Sequence, residues 1–153
     1  MEIEINELKT YLKKGERLLG LDLGSKTIGI ALSDFLLTVA TPMETIKRVK
    51  FTKDAERLLT IISEQKVGGI VLGLPKNMDG SEGPRCQSTR QFAKNMGEKT
   101  DIPISYWDER LSTIAVTRTL LEADTSRKRR SEVVDKLAAS YILQGVLDNL
   151  SKK

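Results

Sequence analysis

The order of apolar segments along this chain of 153 residues constrains its fold more than any other feature. Three extended segments come first, and from residue 52 onward helical and extended patterns alternate. Consecutive strands favour an antiparallel meander, whereas strands separated by helices add in parallel. The order predicts an α/β fold, with a five-stranded mixed sheet of three antiparallel strands and then parallel additions, flanked by helices. The predicted strands are 17–23, 27–33, 37–46, 69–73 and 102–107, and the predicted helices are 4–14, 52–65, 85–98, 112–122 and 131–150.

The chain is long enough for one domain with a single core. Residues 1–16 are predicted to form an N-terminal helix extension that ends at Gly15, and residues 17–150 the domain itself. Thr52 or a neighbour is expected to cap the second helix. Residues 123–130 have no apolar periodicity and predict a charged connection before the last helix.

Composition limits where the chain works and which chemistry it can use. No apolar run approaches the ~20 residues that span a bilayer, and Cys86 alone cannot form an internal disulfide, so we expect a cytoplasmic protein without membrane contact. The sequence has no histidine, which excludes a Ser-His-Asp triad, a histidine-ligated zinc and an imidazole base. The net charge of +4 favours a polyanionic partner only weakly.

Two acidic residues lie where strands are predicted to be buried or to end. Asp22 falls inside the apolar run 17–23, where an unpaired carboxylate is costly. An ion pair, a turn cap or a bound cation would each offset that cost. Glu109 follows the fifth strand, at the edge where ligands gather in parallel sheets. Metal ligation there is favoured equally with a structural role, which would be that of an exposed loop acid or of an acid paired with Arg110.

Asp135 belongs to the apolar stripe of the last helix, with Ala138, Ala139 and Ile142 at spacings of three and four. The stripe predicts that Asp135 faces the sheet. A helix starting at Ser131 would also place it near the positive end of the helix dipole. Metal ligation is favoured over dipole pairing, because a purely dipolar acid normally lies on the exposed side.

Three carboxylates, Asp22, Glu109 and Asp135, are therefore the candidate catalytic and metal-binding residues. Oxygen ligands suit Mg²⁺ or Mn²⁺ rather than zinc. Two such ions can activate a water and stabilise the leaving oxygen in phosphodiester hydrolysis. The expected activity is that of a metal-dependent hydrolase acting on ester bonds, a nuclease.

Several cationic and amide side chains lie on predicted turns and loops near these acids. The glycine turn after Asp22 exposes backbone N–H groups, the long loop after the fourth strand is of a kind that is often functional, and a basic run precedes the last helix. A hairpin turn, a surface loop and a solvated charge run are the corresponding structural alternatives. The candidate phosphate-binding residues are Lys26, Lys76, Asn77, Arg85, Arg110, Arg127, Lys128, Arg129 and Arg130.

Four segments together resemble the YqgF/RuvX family. They read Leu-Asp-Leu-Gly-Ser-Lys-Thr-Ile-Gly-Ile-Ala at 21–31, Gly-Leu-Pro-Lys-Asn-Met-Asp-Gly at 73–80, Asp-Glu-Arg-Leu-Ser-Thr at 108–113 and Asp-Lys-Leu-Ala-Ala at 135–139. The resemblance covers residues 17–147. It implies an RNase H-like fold related to Holliday-junction resolvases, an acidic triad at Asp22, Glu109 and Asp135, and a nuclease acting at the 5′ end of pre-16S rRNA in ribosome biogenesis.

Other functions stay open. The same metal chemistry would serve a Holliday-junction-resolving DNA endonuclease, and the basic run would equally serve a non-catalytic RNA-binding ribosome assembly factor. The turn after Asp22 is also similar to the phosphate loop of actin-like kinases and ATPases, which need two such domains. A monomer is the simplest expectation, whereas a symmetric resolvase would need a dimer.

Overall fold

The computed structural model describes residues 1–111 and 127–151 and, in the second range, the side chains from Asp135 onward. The predicted five-stranded mixed sheet is confirmed. The strand order is β3-β2-β1-β4-β5, with β1–β2 and β2–β3 antiparallel and β1–β4 and β4–β5 parallel. The strands are β1 (Arg17–Leu23), β2 (Thr27–Ser33), β3 (Ala40–Lys47), β4 (Val67–Leu74) and β5 (Ile104–Asp108), and the helices are α1 (Leu8–Tyr11), α2 (Phe51–Glu64), α3 (Pro84–Gly97) and α4 (Arg127–Ser151).

Strand β1 is buried from Leu18 to Leu23 because helices cover both faces of the sheet. Leu19, Leu21 and Leu23 pack with residues of α2 and α3. Leu18 packs on the opposite face, with the apolar side of α4. Since successive side chains of a strand alternate between faces, Asp22 lies on the α4 face.

Helix α4 approaches this face closely because the residues between it and the sheet are small. A β-carbon on Gly29 would overlap the backbone carbonyl of Asp135, and one on Gly20 would lie 2.8 Å from the β-carbon of Leu143. Ala138 is almost completely buried on the helix side. The predicted stripe of α4 therefore does face the sheet.

The N-terminal segment contains less helix than predicted. A 3-10 turn at Ile5–Glu7 leads into α1, which ends at Tyr11 because Leu12 is extended. Gly15, with φ of +86°, forms a later turn. The segment nevertheless contacts the sheet: the Ile3 N–H donates to the Ile104 carbonyl at 2.9 Å, and Leu8 is fully buried.

Two local features differ from expectation, the start of β3 and the start of α2. Strand β3 begins at Ala40 rather than at residue 37, because the Asp34 carboxylate accepts the N–H groups of Thr38 and Val39 at 2.7 and 3.1 Å and holds a turn there. The predicted cap at Thr52 is wrong, since α2 begins one residue earlier and its N-cap, Lys50, makes no side-chain capping bond.

The last helix begins at Arg127, so residues 127–130 are helical and not a connection. The predicted helix 112–122 and residues 123–126 lie outside the described residues. Within the described ranges, no helix has the length and apolar character needed to cross a membrane.

Candidate active site

The site begins with Asp22, which lies near the carboxyl end of β1. Its cross-strand neighbour in β2 is Gly29, and directly paired residues project to the same face of a sheet. Because Gly29 has no side chain, the Asp135 backbone lies against it. Only 3% of Asp22 is exposed, so the sheet and α4 together enclose it.

Asp135 is positioned by packing and by one hydrogen bond. It is half-buried, and its Oδ2 accepts a hydrogen bond from the Thr27 hydroxyl at the start of β2. The helix begins at Arg127, more than two turns before Asp135. The dipole argument for an acid here is therefore wrong, because the dipole acts within the first turn.

Glu109 lies in a 3-10 turn, Glu109–Leu111, directly after β5. It is only 9% exposed, which rules out the exposed loop acid. A β-carbon on Gly73 of β4 would lie 3.1 Å from its Oε2 and would also meet Ile142 of α4. Glu109 therefore reaches back over β4 on the α4 face, toward the strand that carries Asp22.

The structure thus brings the three predicted acids to the same face, at the same end of the sheet. Among residues 1–111 and 127–151, however, no three acidic or thiol side chains lie close enough together to hold a metal ion, so the structure does not bring Asp22, Glu109 and Asp135 into one shared coordination site. The donors are all carboxylate oxygens, which is the donor type that a hard divalent cation such as Mg²⁺ or Mn²⁺ prefers.

A cleft of about 460 Å³ opens beside this acidic centre, around the turn between β1 and β2. Three of its lining side chains are cationic, and Asp135 is its one acid. Its lining residues are Leu23, Gly24, Ser25, Lys26, Thr27, Arg48, Arg85, Ser88, Thr89 and Asp135. The structure therefore brings Lys26 and Arg85, both predicted to bind phosphate, to one place next to Asp135.

Arg48 is a residue of this cleft that the sequence analysis did not single out. Its guanidinium donates to the Gly24 carbonyl at 2.6 Å, and its backbone N–H donates to the Lys26 carbonyl at 2.9 Å. The pairing of Thr27 with Lys47 places Arg48 against the turn. A correct prediction of the register between β2 and β3 would have placed Arg48 beside this turn.

Two other predicted phosphate-binding residues, Asn77 and Arg110, lie in a separate cluster around the loop 75–83. The Asn77 amide donates to the Ser81 hydroxyl at 3.0 Å. The Arg110 guanidinium donates to the Met78 carbonyl at 3.3 Å and to the Asp108 carboxylate at 2.7 Å. These hydrogen bonds from Arg110 hold the pKa of Asp108 below its usual value.

Lys76 opens this loop, with its N–H bonded to the Leu74 carbonyl at 2.9 Å, and its side chain is partly buried. The loop residues are not part of the cleft lining. The side chains of Arg127, Lys128, Arg129 and Arg130 lie outside the described residues. Phosphate binding by these four, and by the loop residues, stays a prediction.

The sheet order and the covering helices are those of the RNase H-like nucleases. RuvC of T. thermophilus in complex with Holliday junction substrate has this fold, with a TM-score of 0.55 and 11% identity over 89% of this chain and 96% of that one. The yeast mitochondrial Holliday junction resolvase Ydc2 gives a TM-score of 0.50 and 12% identity over 97% and 85%.

Within this class, the chain belongs to the RuvX family, whose model, described as Holliday junction resolvase, matches residues 16–149. A protein of Paramagnetospirillum magneticum named "Putative pre-16S rRNA nuclease" is 69% identical over 145 residues, 95% of this chain and 94% of that protein. One of the same name from Ruegeria pomeroyi is 60% identical over 146 residues, 95% of each chain. The resemblance seen in the four sequence segments is confirmed.

Proposed function

We propose that this protein is a metal-dependent nuclease that hydrolyses phosphodiester bonds in precursor 16S rRNA. The observation that carries the proposal is the enclosure of Asp22 on the face where Glu109 and Asp135 also lie. Asp22 is only 3% exposed, and strongly buried carboxylates at one end of a sheet are found more often at catalytic sites than elsewhere. The names of the two relatives support the substrate.

The three carboxylates would hold Mg²⁺ or Mn²⁺, as the pair of ions used in two-metal phosphodiester hydrolysis. When bound, the metal supplies an activated water and stabilises the leaving oxygen. Three different elements carry these acids: Asp22 belongs to β1, Glu109 to the turn after β5, and Asp135 to α4. The Thr27 hydroxyl restrains one oxygen of Asp135, and Lys26 adds positive charge where a phosphate would approach.

A substitution at Asp22 tests this mechanism. Asp22→Asn should lose Mg²⁺- or Mn²⁺-dependent cleavage of a precursor rRNA leader while still binding it, because the amide keeps the shape but removes the charge. Asp101→Asn, at an exposed loop acid, is the matched control and should cleave normally. Full cleavage by Asp22→Asn would remove the mechanism.

The choice between RNA and DNA needs a second comparison. The family description and the fold favour a DNA junction as the alternative substrate, and the acidic site itself does not distinguish the two sugars. The purified protein is offered the precursor rRNA leader and a four-way DNA junction at equal concentration and salt. Preferential cleavage of RNA supports the proposal, and preferential cleavage of the junction overturns its substrate.

A non-catalytic RNA-binding assembly factor is the other candidate, favoured by the three cationic side chains that line the cleft, Lys26, Arg48 and Arg85. It predicts binding of the rRNA leader without cleavage by the wild-type protein at any Mg²⁺ or Mn²⁺ concentration. We expect the active form to be a monomer, which sedimentation of the protein with and without RNA would test.

A further inference from the structure

We propose that the cleft beside the β1–β2 turn is a subsite for a single backbone phosphate that flanks the one being hydrolysed, with Arg48 and Arg85 as its principal ligands. The inference rests on the proposed function, because it takes a polynucleotide as the substrate. It adds Arg48 to the binding residues. It also gives the cleft a role in binding the nucleic-acid strand rather than in hydrolysis.

The charges of the described arginines support this assignment. Arg57, Arg90 and Arg110 each form an ion pair with a carboxylate, at 2.6, 2.7 and 2.7 Å. Among the described residues, the other three arginines have no such partner: Arg17 bonds the Gln65 side chain and lies over the Phe35 ring, whereas Arg48 and Arg85 line the cleft. The two arginines and Lys26 repel one another in the cleft, where Asp135 is the acid among the described lining residues, and a bound phosphate would add further negative charge.

Both guanidinium groups are held in place by backbone carbonyls. Arg48 donates to the Gly24 carbonyl at 2.6 Å and Arg85 to the Leu23 carbonyl at 3.4 Å. A guanidinium has five N–H donors in a planar fork, so each one keeps donors for a ligand. Because the two carbonyls are consecutive, the two arginines approach one short stretch of chain, and their remaining donors are oriented before any ligand binds.

The position of the cleft indicates which phosphate it would take. Gly24 lies two residues beyond Asp22, or about 7 Å along an extended chain, so the arginines contact the backbone next to the acidic centre and not the centre itself. Asp135 forms the wall where the cleft meets that centre. A volume of about 460 Å³ lies in the range of ligand pockets and leaves room for one phosphate with its sugar.

The test is binding of short RNA oligonucleotides in EDTA, so that it is independent of cleavage. Arg48→Ala and Arg85→Ala should each weaken binding roughly three- to tenfold at low salt and lower the slope of log affinity against log salt by about one. Arg57→Ala is the control, because Arg57 is exposed and already paired with Glu44, and it should bind as the wild type does. Fluorescence of Trp107, the only tryptophan, checks that each variant is folded.

Oligonucleotides in which one linkage at a time is an uncharged methylphosphonate identify the contact. On the oligonucleotide that lacks the contacted charge, the wild type and Arg48→Ala should bind equally, whereas on the others the loss should persist. An equal loss on every oligonucleotide, or no loss at all, would overturn the subsite. If the protein does not cleave RNA but this pattern is found, the nuclease proposal fails while the subsite stands.

Discussion

The Thr27 hydroxyl donates a hydrogen bond to the Asp135 carboxylate, although the two residues are 108 positions apart in the sequence. The bond joins the first residue of β2 to the last helix. Thr27 and Asp135 both line the cleft, so this contact lies where the proposed phosphate subsite meets the acidic centre. If Asp135 binds metal as proposed, the loss of this hydrogen bond should affect metal binding more than folding.

Replacing Thr27 by Val removes this hydroxyl while keeping the size of the side chain. A hydrogen bond to a charged group in a half-buried place contributes about 1 to 2 kcal/mol, which corresponds to a roughly five- to thirtyfold effect. Thr27→Val should therefore need more Mn²⁺ to reach half-maximal cleavage, with the rate largely restored at saturating Mn²⁺. Thr27→Ser, which keeps the hydroxyl, should follow the wild-type Mn²⁺ curve. Equal impairment of both variants would indicate a packing role instead.

A divalent cation should stabilise the folded protein. Bound metal offsets the repulsion and burial of the carboxylates, and a ligand that binds only the folded state raises its stability. Addition of Mg²⁺ or Mn²⁺ should raise the melting temperature of the wild type, followed by Trp107 fluorescence. The increase should disappear in Asp22→Asn and persist in Asp101→Asn. A rise of the same size in Asp22→Asn would place the bound ion elsewhere.

Alanine at Gly29 should weaken the docking of α4. Its β-carbon would overlap the Asp135 carbonyl, and overpacking of this kind typically costs about 1 to 3 kcal/mol. Urea unfolding should show a lower midpoint for Gly29→Ala. Gly97→Ala is the control, because its β-carbon would meet nothing nearer than the Met1 nitrogen at 3.7 Å, and its midpoint should stay the same or rise. Equal midpoints for Gly29→Ala and the wild type would contradict the close approach.

The Asp108–Arg110 pair should make stability depend on pH. Hydrogen bonds from Arg110 lower the pKa of Asp108 in the folded state, so the unfolded state takes up its proton first as the pH falls. The contribution of the pair is complete above the unfolded pKa of about 3.9 and is lost as the pH falls through the lower folded value.

Arg110→Ala should therefore be less stable than the wild type at pH 6, by at most about 1 kcal/mol because the pair is partly exposed. The difference should shrink at pH 3, as measured by urea unfolding at both values. A difference that is unchanged or larger at pH 3 would show that the pair does not lower the pKa of Asp108.

Much of the sheet could be predicted from local sequence. The predicted bounds of the first two strands coincide with β1 and β2, because their apolar residues are bounded by glycine and polar turns. The start of β3 could not be predicted, since it depends on hydrogen bonds from the Asp34 carboxylate to the backbone. The first turn of α4 carries a basic run whose sequence has no apolar periodicity, and it was therefore assigned to a connection.

The acidic residues of the candidate site could be predicted from the sequence, but not all of its cationic residues could. Asp22 stands out as a charge inside an apolar run, and Asp135 as an acid on an apolar stripe. Arg48 has no such local signal, because its place depends on how β3 pairs with β2 and on the Gly24 carbonyl. Pairing between strands therefore determines a contact that no short sequence motif contains.

The close packing of α4 against Gly29 determines at which stage of folding the protein would become active. Asp135 is carried by the C-terminal helix, so a chain whose sheet has formed while this helix is still undocked has only two of its three acids in place. On the proposed function, such an intermediate is harmless to cellular RNA. Nuclease activity would then arise only when α4 docks, without a separate inhibitor.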